Sequence, residues 1–176
     1  LFGYGSFSKE AVLKSAEALF YFGLGLPAFA LIKVFSSFFF ANKDTKTPFY
    51  ISLISVLLNI FISLYFFKSI GFIIIPIATT ISSWFNSIIL FTFLRLKKLF
   101  QFNDEFFMSF IKTIFASILM GLFFEYLISI LGNYLVYSNS FKSFYLILSV
   151  ILGLVFYLLV SFSIKAFKFQ DINLKY

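Results

Sequence analysis

Few side chains in this sequence could bind or move another molecule, and the best placed of them interrupt long apolar runs. Lys33 lies some eight residues before the end of one such run, roughly 12 Å along a helix at 1.5 Å per residue. Its ammonium either snorkels to a membrane interface along its own methylene stem or faces a polar cavity, where it would meet a phosphate or a carboxylate. Asn59 and Ser63 are four residues apart and share one helical face. Asn59 stands ten residues before Ser69, and Thr79 ten after it. A turn near Ser69 would put both at one depth, roughly 15 Å from the turn and close to the middle of a bilayer. Asn59, Ser63 and Thr79, with a main-chain carbonyl at Ile75 beside Pro76, could together hold a cation. The same groups can equally hydrogen-bond two helices together. Thr80, Ser83 and Asn86 extend this strip as packing residues.

Other chemistry is poorly supplied. The sequence has no histidine and no cysteine, which removes thiol nucleophiles, disulfides, imidazole bases and His-ligated metals. Its seven acidic residues stand mostly between apolar runs and form no catalytic carboxylate pair. Glu125, near the end of an apolar run, has no evident partner. Gly3 and Gly5 do not make a nucleotide fingerprint, since no strand or following GxxG supports them. The expectation is a protein that is not an enzyme and carries no metal centre or cofactor.

The elements that must position these residues are long and apolar. Hydrophobic residues make up 61% of the 176, charged residues only 12%, and the mean hydropathy is +1.02. A soluble domain is about half apolar and a quarter charged, and a chain this short cannot bury so much apolar surface without lipid. The 31 phenylalanines fit a low-GC coding bias together with lipid-facing positions. Five stretches reach the length a bilayer requires, at about residues 16–41, 48–67, 72–96, 106–131 and 144–167. Ser8 can cap a short lead-in helix with Glu10 in its first turn. Thr47 reads as an N-cap, with Pro48 at the first helical position. The runs are too long and too uniformly apolar for barrel strands. The fold class is therefore all-α, a polytopic transmembrane bundle of five helices whose short loops make successive helices antiparallel neighbours.

Charge placement orients the bundle. Nine basic residues lie on one side: Lys43, Lys46, Arg95, Lys97, Lys98, Lys112, Lys165, Lys168 and Lys175. Four lie on the other: Lys9, Lys14, Lys68 and Lys142. The richer side is cytoplasmic by the positive-inside rule, which places the C-terminus inside and the start of the chain outside. This distribution, between apolar runs, also speaks against nucleic-acid binding despite the net charge of +7. The chain opens in mid-pattern on Leu1, without a charged n-region or cleavage site. The expectation is a fragment without a signal peptide and, for a full protein that begins in the cytoplasm, with an odd number of spans upstream. Pro27, after Gly23 and Gly25, and Pro76 both fall inside spans and are expected to kink them. Gly23, Gly25, Pro27 and Pro76 then serve either as hinges or as static bends.

From Gly23 to Pro48 the residues form a recognisable text: Gly25-Leu26-Pro27-Ala28-Phe29, Lys33-Val34, Phe39-Phe40-Ala41 and Asp44-Thr45-Lys46-Thr47-Pro48. It closely resembles the MurJ (MviN) lipid II flippase family at the tenth of its fourteen helices and the loop that follows. The opening, with Leu1, Phe2, Gly5 and Phe7, resembles the stretch before that helix. Asn59, Gly71, Thr79 and Asn86 stand where the family has similar residues. The likeness is specific from Leu1 to about Asn86 and compositional afterwards.

The resemblance implies a protein of the multidrug/oligosaccharidyl-lipid/polysaccharide (MOP) exporter superfamily, with two lobes of helices around a central cavity. This chain would supply about helices 10–14 of it. Such a protein moves undecaprenyl-pyrophosphate-linked peptidoglycan precursor, lipid II, across the bacterial cytoplasmic (inner) membrane by alternating access. Lipid II and membrane lipids are then the partners, and a monomer is expected. The lipid tail would lie against the last two helices, and Lys33 would belong to the substrate cavity. Membrane potential or an ion gradient would drive the cycle. Some members hold Na+ in the C-terminal lobe, and Asn59, Ser63, Ile75 and Thr79 match that site in spacing. Ser63 stands where some members have an aspartate, and Phe40 replaces a more usual tyrosine. The rival readings are a flippase for another lipid-linked oligosaccharide, of O-antigen or capsule type, and a non-transporting membrane assembly subunit.

Overall fold

The computed structural model describes residues 8–99, 104–135 and 141–166, and among these the chain is helical with no strand. Its helices are α1 (Lys9–Ala41), α2 (Lys46–Ile70), α3 (Ile74–Leu96), α4 (Asp104–Leu131) and α5 (Lys142–Ser163). Short 3-10 turns at Gly71–Ile73 and Gly132–Tyr134 follow α2 and α4. Four stretches are long and apolar enough to cross a membrane, and one of them, Lys46–Leu96, is 51 residues long. That stretch folds back on itself at Gly71, whose φ of +76° lies in the left-handed region where glycine carries no Cβ penalty. Its arms, α2 and α3, have 25 and 23 residues, each sufficient to span a hydrocarbon core of about 30 Å.

The chain divides into two compact units, residues 2–101 and residues 102–176. In the first, α3 is the central helix, packed along both α1 and α2, which themselves meet little. The α1 seam runs through Tyr21, Gly25, Ala28, Ile32, Phe35 and Phe39, alternating steps of four and three residues, the spacing that keeps one stripe facing a partner helix. Phe39, Ile51, Leu90 and Leu94, one or more from each helix, form the buried apolar cluster, with Ile32 and Phe35 against it. In the second unit α4 and α5 are joined by stacked rings, Phe123 on Phe156 at 4.2 Å and Tyr134 on Tyr145 at 4.8 Å. Gly153 admits Phe124 and Met120 there. No more than 17% of the residues in the most apolar window of any span are buried. The large apolar side chains point outward, as lipid rather than water requires.

The helix ends show where local chemistry departs from the simplest reading. Ser8 caps α1, its hydroxyl accepting from the Ala11 N–H at 3.1 Å, and the lead-in turn runs on without a break into one 33-residue helix. Thr47 is not the cap of α2. The helix begins at Lys46, and Asp44 accepts from the Thr47 N–H at 3.0 Å and from its hydroxyl at 2.7 Å. Asp44 sits three residues before Thr47, so its carboxylate reaches a first-turn N–H that Thr47 itself cannot satisfy. Pro76 likewise does not break a helix. It is the third residue of α3, where an N–H has no intrahelical partner to lose.

Candidate functional site

The buried polar groups of the first unit line the two seams of α3. On the α2 side, the Asn59 amide donates to the Thr79 hydroxyl at 3.1 Å and to the Ser82 hydroxyl at 3.2 Å. Ser63 donates to the Asn59 amide oxygen at 3.4 Å. Thr79 in turn donates to the Ile75 carbonyl at 2.8 Å, and Ser82 to the Thr79 carbonyl at 3.0 Å. All four sequence-predicted groups, Asn59, Ser63, Ile75 and Thr79, are thus joined in one network. Ser82 belongs to it too, and sequence reasoning missed it. The signal was available, since Ser82 is one helical turn beyond Thr79. Asn86, one turn further, donates to Ser52 at 3.4 Å, and its amide oxygen is buried without a partner.

The donors in this network run one way, which decides what it can hold. The Thr79 and Ser82 hydroxyl protons are already committed to main-chain carbonyls, so both oxygens face Asn59 as acceptors. Only the NH2 end of the amide can meet them. A cation at this point needs oxygens converging on it, whereas a donor nitrogen occupies the centre. With serine at position 63, no carboxylate compensates the charge. As arranged, these residues form a hydrogen-bond ladder between α2 and α3.

On its other side α3 donates to the backbone of α1. The Thr80 hydroxyl bonds the Tyr21 carbonyl at 2.6 Å, and the Trp84 indole bonds the Leu24 carbonyl at 3.0 Å. Both acceptors flank Gly23, whose carbonyl cannot receive the usual bond because Pro27 has no N–H. Gly25 is buried at the closest approach of the two helices, where a Cβ would lie 3.0 Å from Thr80 Oγ1 and 3.5 Å from its Cα. Gly23 has open space in the same position. The two glycines therefore differ: Gly25 lets α3 come close, and Gly23 leaves α1 unencumbered beside Pro27.

Lys33 is exposed on α1, off the α3 seam, and forms no ion pair among the described residues. Ser37 donates to its carbonyl at 2.9 Å. Glu125 is exposed on α4 and likewise has no ion pair among the described residues. At the end of the unit where α1 stops and α2 starts, Lys97 at the end of α3 pairs with Asp44 and donates to Thr47 at 2.9 Å. The Lys97 ammonium also lies 5.8 Å from the centre of the Phe39 ring. The hydrogen bond from Lys97, then those from the Thr47 N–H and hydroxyl, hold the Asp44 carboxyl well below the usual carboxylate range. This clasp ties all three helices. It went unread in the sequence, although antiparallel topology alone puts both loops at one end.

Long helices with outward apolar side chains, short turns and buried polar groups along helix seams define a polytopic membrane protein. Residues 1–148 match the family described as lipid II flippase MurJ, and the chain belongs to that family, which is one of lipid transporters and not of enzymes. It is 42% identical over 91 residues to a probable lipid II flippase MurJ of Rhizobium meliloti, covering 52% of this chain and 17% of that protein. It is 32% identical over 122 residues to the lipid II flippase MurJ of Burkholderia cenocepacia, covering 69% and 23%. With the probable flippase of Haemophilus influenzae it is 26% identical over 159 residues, covering 89% and 31%. The chain therefore spans less than a third of the length of these relatives.

Proposed function

We propose that this chain is the C-terminal part of a two-lobed transporter that flips lipid II across the bacterial inner membrane by alternating access. The observation that carries the reading is the family match over residues 1–148, joined to a helical unit whose buried polar groups lie along α2 and α3. Lipid II is the transported partner, and the protein works as a monomer with its C-terminus in the cytoplasm. The basic end of the α1–α3 unit, with Lys43, Lys46, Arg95, Lys97 and Lys98, supports that orientation.

In this reading Lys33 faces the substrate cavity. An unpaired ammonium within the apolar stretch of α1 suits a pyrophosphate, whose charge would compensate it within the membrane. The α2–α3 ladder makes these helices move as one body, and α1 supplies the compliant element around Gly23 and Pro27. Membrane potential is favoured as the driving force over Na+, because Ser63 brings no carboxylate to the Asn59 network. The test is complementation. The full-length gene is expressed in bacteria depleted of their own lipid II flippase, and restored growth is the expected result. Good membrane expression without growth would refute the substrate assignment and favour another lipid-linked oligosaccharide.

A further inference from the structure

Three residues other than glycine have a positive φ among the described residues, and all three are lysines: Lys43 at 60°, Lys98 at 53° and Lys165 at 52°. Each stands just past the C-terminus of a helix. In each case two backbone bonds close the same motif. After α1, Asp44 N–H bonds the Phe39 carbonyl and Lys43 N–H the Phe40 carbonyl. After α3 the pairs are Leu99 to Leu94 and Lys98 to Arg95. After α5 they are Ala166 to Ser161 and Lys165 to Phe162. This is the Schellman cap, whose left-handed position is usually glycine and sometimes asparagine, because a Cβ is strained there. The turn between α2 and α3 is built differently, on Gly71 at φ 76° and ψ −154°, a conformation essentially confined to glycine.

What distinguishes the lysine-capped end is charge. The Lys97–Asp44 pair joins the turn after α1 to the end of α3, so Lys43, Lys46, Arg95 and Lys98 gather there. All four are exposed and form no ion pair among the described residues. The one acid of that turn, Asp44, is committed to Lys97 and to the Thr47 N–H. At the opposite end Lys14 is paired with Glu10, and the α2–α3 turn has the single cation Lys68. A helix C-terminus attracts a cation, and α2 has one in Lys68, so the macrodipole alone does not account for four cations at the other end.

We propose that Lys43 and Lys98, flanked by Lys46 and Arg95, form a binding surface for the phosphate headgroups of anionic phospholipids. The left-handed caps hold the two ammonium groups at the turns, where the hydrocarbon core gives way to headgroups. A lysine near an anionic membrane surface is worth roughly five-fold in affinity, so the pair should contribute roughly 25-fold.

The caps provide an unusually clean test, because Lys43→Gly with Lys98→Gly removes the charge while favouring the same backbone. The full-length protein in neutral detergent is titrated with phosphatidylglycerol, and the apparent affinity is read from the thermal shift. The glycine pair should melt no lower than the parent without lipid and should lose roughly 25-fold in affinity. Lys43→Arg with Lys98→Arg should keep it. If the glycine pair proves too unstable to purify, Lys46→Gln with Arg95→Gln, outside the caps, should show a loss of similar size. Parent-like phosphatidylglycerol binding by the glycine pair would overturn the proposal. An equal loss from Lys68→Gln alone would also overturn it, by showing a response to net charge only. So would an equal thermal shift with inorganic phosphate, which would indicate a soluble anion instead of a lipid.

Discussion

Two glycines a half-turn apart on α1 should respond to alanine with opposite signs. At Gly25 the new Cβ would meet Thr80 Oγ1 at 3.0 Å, Phe29 Cε2 at 3.4 Å and Thr80 Cα at 3.5 Å. Thr80 has little room to give, since it is β-branched and its hydroxyl is held at 2.6 Å on the Tyr21 carbonyl. Overpacking of this kind costs about 1–3 kcal/mol. Replacing a helical glycine by alanine returns about 0.5–1 kcal/mol, so Gly25→Ala should destabilise by up to about 2.5 kcal/mol. At Gly23 nothing lies within 4 Å of the new Cβ, and only the propensity gain of about 0.5–1 kcal/mol remains. Thr80→Ala should by itself cost about 0.6 kcal/mol, an average interhelical hydrogen bond in a membrane. Combined with Gly25→Ala it should cost less than the sum, because the clash partner is gone. Unfolding of the full-length protein by dodecyl sulfate in mixed micelles, followed by helical circular dichroism, measures all four. If Gly25→Ala were as stable as Gly23→Ala, or if the Gly25 and Thr80 changes were additive, the close approach of α1 and α3 would be refuted.

The polar seam and the basic end give further expectations. Asn59→Leu with Thr79→Val should lower transport at least ten-fold if the ladder couples α2 and α3 during the cycle, with abundance on a membrane immunoblot largely kept. Unchanged transport would reduce the ladder to helix glue, and equal rates in sodium and potassium buffers are expected throughout. Lys33→Ala should lower transport several-fold with normal expression, whereas Lys33→Arg should retain most of it. Transport equal to the parent would remove Lys33 from the cavity. Asp44 titrates below its ordinary 3.8, so its contribution to stability is fully present above that value and is lost as the pH falls below it. Asp44→Asn should therefore melt below the parent near neutral pH, and the gap should close under more acidic conditions. A gap that persists at the lowest accessible pH would mean that the carboxylate charge is not what matters.

Much of this architecture is legible in the sequence because the bilayer imposes lengths. Five apolar runs and short loops give antiparallel helices, and counting ten residues either way from Ser69 brings Asn59 to Thr79, which hydrogen-bond at 3.1 Å. What counting cannot supply is the local turn. Thr47 and Pro48 read as a helix start, but the Schellman turn at Asn42–Lys43 swings Asp44 into capping reach first. Pro76 reads as a kink because the apolar run begins at Phe72. In the structure Gly71–Ile73 forms a 3-10 turn, and α3 starts late enough for proline to open it. The direction of the Asn59 amide is also invisible in sequence, since it depends on where the Thr79 and Ser82 protons go. That direction sets how the ladder between α2 and α3 is joined.

The most direct test of the central claim is the appearance of lipid II on the outer leaflet of cells in which the full-length protein is the only flippase. Intact cells are treated with an impermeant reagent that modifies exposed lipid II, and the modified fraction is followed as the resident flippase is depleted. The account predicts that the exposed fraction stays at the level of undepleted cells. Lipid II that accumulates but stays inaccessible, despite abundant protein in the membrane, would contradict it.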